Sequence, residues 1–91
     1  MGVSGSREGV AVADVELWLD EVAGALDVTL EDVLPQATQE ELLTLTGDIA
    51  HNVVRLAVPL SSYLIGVAVG RGASAQEAIR LVGGLLPAGT E

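Results

Sequence analysis

Helix-start chemistry recurs along this chain at short intervals and constrains its fold more than any other feature. Thr38-Gln39-Glu40-Glu41 reads as a capping box, in which the Thr38 hydroxyl accepts from the Glu41 amide and the Glu41 carboxylate reaches back. Ser74-Ala75-Gln76-Glu77 repeats the pattern, and Thr29-Leu30-Glu31-Asp32 is a shorter-armed version. Asp14 is a further expected cap, with Glu16 near the positive end of the helix dipole. Pro59 suits the first turn of another helix, where its missing N–H costs nothing.

The apolar residues follow the same period. Val15, Trp18, Leu19, Val22, Ala25 and Leu26 share one side of a helical wheel. Leu42, Leu45, Ile49, Val53 and Leu56 form a second stripe, and Ala78, Ile79, Leu81, Val82, Leu85 and Leu86 a third. Leu60 to Val69 is apolar nearly all round, which predicts a central helix; Ser62 and Gly66 are its one small face, where a neighbour can approach closely. Trp18 and Tyr63 are expected in the core, and Leu17, off its stripe, is compatible with a subunit contact. No segment alternates as a strand does, and no internal repeat is visible.

These signals predict an all-α fold, a compact antiparallel bundle of four principal helices at about 14–26, 39–56, 59–69 and 75–86. A short helical turn over 28–34 is ended by Pro35, and the glycines at 70, 72, 83 and 84 mark helix ends. One domain over 14–87 is expected, between a flexible lead at 1–13 and a tail at 88–91.

Composition narrows the function classes. The 91 residues carry no Cys and one His, so a disulfide framework, a zinc–thiolate site and a thiol nucleophile are excluded. Thirteen acids against four bases argue against a nucleic-acid binder, which needs a basic face to displace counterions. Ten of the acids lie between Asp14 and Asp48 with no base among them. The apolar stretch from Val53 to Val69 is interrupted by Arg55, Pro59, Ser61 and Ser62, and its unbroken remainder is far short of the ~20 residues a membrane span needs. The first residues lack the apolar run of a signal peptide, and all four bases are Arg, which suggests a high-GC bacterial gene and a cytoplasmic protein. The 49% apolar content is large for so small a domain and points to a homo-oligomer.

The densest polar set is Asp48, His51 and Arg55, spaced to share one side of the long helix opposite its apolar stripe. The plain reading is a solvated face with weak i,i+3 and i,i+4 contacts. The functional reading is a contact face for a partner. A ligand version places Arg55 near the start of the next helix, where free N–H groups, His51 and the Ser61 and Ser62 hydroxyls attract a phosphate or carboxylate. Catalysis by His51 lacks support, because no nucleophile elbow, phosphate-cradling Gly loop or Walker motif is present. Asp48-x-x-His51 is half of the pattern used by di-iron bundles, and one copy is inadequate in a monomer. No metal or cofactor is expected.

Trp18-Leu19, then Leu42-Leu43-x-Leu45-Thr46-x-Asp48-x-Ala50-His51-x-Val53-x-Arg55-x-x-x-Pro59-Leu60-x-x-Tyr63-Leu64-x-Gly66-x-Ala68, resemble a small actinobacterial helical domain of unknown function. That family also occurs fused behind domains similar to molybdenum cofactor guanylyltransferase (MobA-like). The resemblance covers Val15 to Leu86, and its centre is Asp48-x-x-His51-x-x-x-Arg55 followed by Pro59-Leu60. This chain has Leu56 where many members have Pro, and it lacks the transferase's Gly-rich nucleotide loop. The resemblance therefore implies a non-catalytic accessory module, with a MobA-like nucleotidyltransferase as partner and Asp48, His51 and Arg55 as the residues of interest.

Overall fold

The computed structural model describes residues 12–87. Among them are five helices and no strand: α1 (Val12–Ala25), α2 (Leu30–Val33), α3 (Gln36–Asn52), α4 (Ala57–Gly70) and α5 (Ala75–Gly83). The fold is all-α, as the spacing predicts. The expected lead lies outside the described residues up to position 11, as does the tail from position 88. The chain divides into two compact units at the junction of Pro35 and Gln36.

In the first unit α1 and α2 pack together. Asp14 sits inside the first turn of α1 rather than capping it, because the helix begins at Val12; its charge still complements the positive end of the dipole. Ala23 is buried, whereas Trp18, expected in the core, is 52% exposed. The end of α1 is a Schellman motif: the Val28 N–H donates to the Ala23 carbonyl at 3.0 Å and the Asp27 N–H to the Gly24 carbonyl at 3.2 Å. That geometry holds Asp27 at φ +61°, a conformation in which an L side chain crowds its own carbonyl. Asp27→Gly is therefore expected to stabilise the first unit by about 0.5–1 kcal/mol, read as a higher melting temperature by circular dichroism. An unchanged or lower melting temperature contradicts this.

Thr29 stands at the N-cap of α2 in extended conformation, but its side chain makes no capping bond; its carbonyl accepts instead, from Asp32 at 3.0 Å and Val33 at 3.1 Å. Pro35 then ends the turn, as expected, by forcing the residue before it out of the helical region: Leu34 adopts φ −145°, ψ 63°.

The second unit corrects three expectations. First, α3 starts at Gln36, so Thr38 lies within it, buried, and the capping box at Thr38–Glu41 does not form. Proline's fixed φ is already helical, so Pro35 can lead straight into α3 and overrides the Thr38 signal. Second, α3 ends at Asn52, not Leu56. The β-branched pair Val53-Val54 follows the break, and both lose rotamer freedom in a helix. Third, α4 is not enclosed. Ile65 is buried at 7% exposure, but Leu60, Leu64 and Val67 are exposed, and Tyr63, expected in the core, is 73% exposed. A Cβ built on Gly66 meets no atom within 4 Å, so no helix approaches closely there.

Other elements match. Pro59 lies in the first turn of α4. Ser74 caps α5, its hydroxyl accepting from the Glu77 N–H at 3.0 Å. Glu77 also pairs with Arg80 one turn on. Helices α3, α4 and α5 pack against one another around Leu45, Ile49, Ile65 and Ala78. Half-buried Leu42, Val58, Val69, Ile79 and Val82 surround that cluster. Leu81 and Leu85, counted in the third stripe, are exposed.

Candidate functional site

Asp48 and His51 project from α3 one turn apart, and both are exposed. His51 lies on the side of the helix away from the buried Leu45 and Ile49, and Asp48 lies at the edge of their face, next to Leu45. Arg55 does not continue their row. It lies beyond the end of α3, in the turn before α4, so the end of the helix separates it from the face predicted to carry it. The side chains of Asp48, His51 and Arg55 make no hydrogen bond or ion pair with any described residue. Their side-chain polar groups are therefore not engaged among the described residues.

The start of α4 offers an anion less than its sequence suggests. The Ala57 N–H donates to the Val54 carbonyl at 3.0 Å and the Val58 N–H to the Arg55 carbonyl at 3.1 Å. Pro59, the next residue, has no N–H to give. The donors that normally make a helix start attractive to phosphate are thus largely engaged. Ser61 and Ser62 are half-buried and flank Ile65 on the inner side of α4, a full turn beyond the helix start. The structure does not gather Arg55, His51, Ser61 and Ser62 around one point at the helix start.

Asp48 instead lines an open cleft of about 420 Å³ with Glu41, Thr44 and Leu45 of α3 and Ile79, Gly83 and Leu86 on and just after α5. Its polar edge holds two carboxylates, from Glu41 and Asp48, and no basic group. Among the described residues no group of three or more His, Asp or Glu is placed to hold a metal ion. No described helix is long and apolar enough to cross a membrane.

The feature that the sequence reading missed is the outer side of α4. Leu56 at the N-cap and Leu60, Tyr63 and Val67 recur at helical spacing on the side opposite Ile65, Leu64 lies between that side and Ile65, and all five are exposed. Leu64 continues into a recess of about 200 Å³ between α4 and α5, lined also by Ile65, Ala68, Ala73, Glu77, Ala78, Leu81 and Val82. The signal was present: a helix apolar all round has two apolar faces, and its two serines were available to mark the inner one.

The profile of a family described as a domain of unknown function, DUF6457, matches residues 11–90, and the chain belongs to that family. No curated protein and no solved structure matches it.

Proposed function

We propose that this DUF6457 domain is a non-catalytic helical interaction module, which self-associates and assists a molybdenum cofactor guanylyltransferase-like enzyme in an actinobacterial cytoplasm. The observation that supports a binding role is the uncovered apolar surface of the second unit. Contiguous exposed patches of large apolar side chains are uncommon on monomers and mark interaction surfaces. The link to the nucleotidyltransferase rests on the resemblance of Asp48-x-x-His51-x-x-x-Arg55 and the following Pro59-Leu60 to domains fused behind such enzymes. In this reading the fusions hold the module in cis, and the present chain supplies it in trans.

Asp48 and His51 on α3, and Arg55 in the turn that follows it, are the polar contacts for that enzyme. Their exposure and lack of internal partners leave their hydrogen-bonding capacity for another molecule. The test is a titration of the purified chain into a purified guanylyltransferase-like enzyme. His51→Ala should weaken the complex by about tenfold, a loss of 1–2 kcal/mol typical of an interface contact, with unchanged helical circular dichroism. Absence of binding by the native chain overturns the reading.

A further inference from the structure

From the outer side of α4 we infer that the second unit carries a homodimer seam, in which this face packs against the same face of a second copy of the chain. The inference builds on the interaction-module reading and names the surface through which the module self-associates.

The seam is defined by residues at helical spacing. Leu56 at the N-cap and Leu60, Tyr63 and Val67 lie on the side of α4 opposite Ile65, which faces the core, and Leu64 borders that side next to the recess. The inner side contains the polar pair Ser61 and Ser62, both half-buried, while the outer side carries no polar side chain: its large apolar residues are accompanied by Pro59, Gly66 and Gly70. This is the reverse of an ordinary surface helix, whose polar residues face water. Tyr63 is the one aromatic residue on the face and its most exposed member, which suits it to anchor a contact.

Charge selects the occupant. The chain carries a net −9, so a second copy is repelled wherever acids lie. No acid occurs from Ile49 to Gln76, and α4 lies wholly within that run. The run contains Arg55 and Arg71, just outside the two ends of α4 and both exposed, so they stay at the solvated rim of a contact centred on Tyr63. Pairing through α4 thus brings together two helices that carry no acid.

Area agrees. Two such faces, each with five large exposed apolar side chains, remove on the order of 1,000 Å² from water, about the lower limit for a specific interface. The recess beside Leu64 and Leu81 adjoins the face and supplies relief for a side chain of the second copy to enter; the one acid on its wall, Glu77, is paired with Arg80. A two-fold contact of this kind is closed, because each copy offers the same patch to the other.

The experiment is sedimentation equilibrium of the full chain across the micromolar range. The native protein should show a mass twice its 9.3 kDa chain mass. The double variant Leu60→Glu/Leu64→Glu should raise the dimer dissociation constant by about 100-fold or more while retaining helical circular dichroism, since both positions are exposed. Leu43→Glu, at an exposed apolar position on α3, should leave the dimer intact. If the double variant loses helicity, Tyr63→Ser provides the same test with a smaller change. A native chain that is monomeric throughout, or a dimer that resists both the double variant and Tyr63→Ser, overturns the inference. A monomer that still binds the nucleotidyltransferase ends the dimer seam alone, and a dimer that does not bind the enzyme ends the accessory reading alone.

Discussion

Ile49→Ala should remove most of the stability of the second unit. Ile49 is 2% exposed, the most buried member of a very small core that it shares with Leu45, Ile65 and Ala78. Removing its branched side chain forfeits its transfer free energy and opens a cavity, together about 2–4 kcal/mol. A core of this size supplies net stability of only about 3–5 kcal/mol, so the loss is most of what is available. Urea unfolding followed by helical circular dichroism measures it. Leu43→Ala, on the exposed side of the same helix, is the control and should shift stability by no more than about 0.5 kcal/mol. Equal midpoints for the two variants would mean that Ile49 is not the centre of the core.

The second large effect is expected at Gly72, through the backbone and with no loss of contact. The end of α4 is a Schellman motif. The Gly72 N–H donates to the Val69 carbonyl and the Ala73 N–H to the Ala68 carbonyl, both at 3.0 Å. The motif needs a positive φ at its turning residue, and Gly72 has φ +113°. A Cβ there meets no atom within 4 Å, so the penalty of Gly72→Ala is conformational and not steric crowding by neighbours. It should cost about 1–3 kcal/mol. The same turn brings Ala68 and Ala73 together at the recess between α4 and α5, so straining it should also disturb the apolar surface beside Leu64. Thermal melts of Gly72→Ala and Gly70→Ala separate the causes. Gly70 ends the helix without a positive φ, and its substitution should be close to neutral. A melt of Gly72→Ala that coincides with that of Gly70→Ala would remove the strain argument.

The sequence reading was accurate where the controlling chemistry is local. The Ser74 cap forms because its partner Glu77 is three residues away and nothing competes for that helix start. The turn at Gly70-Arg71-Gly72 forms because few residues other than glycine accept the required backbone angle. Thr38 carries an equally good local signal and fails, because Pro35 leads into α3 three residues upstream. Arg55 leaves the row of Asp48 and His51 for a similar reason: the helical spacing of the three residues presumed a helix that stops at Asn52.

By itself the sequence determined the all-α class, the approximate positions of the helices, the acidic first half and the acid-free run from Ile49 to Gln76. Each follows from periodicity, caps or charge order along the chain, which need no knowledge of neighbours. Only the tertiary structure decided which apolar stripe is covered. A helical wheel places Ile65 and Tyr63 on different sides of α4, but both sides are apolar, and hydrophobicity is non-directional. Packing against α3 and α5 chose the side that carries Ile65 and left Leu60, Tyr63 and Leu64 in water.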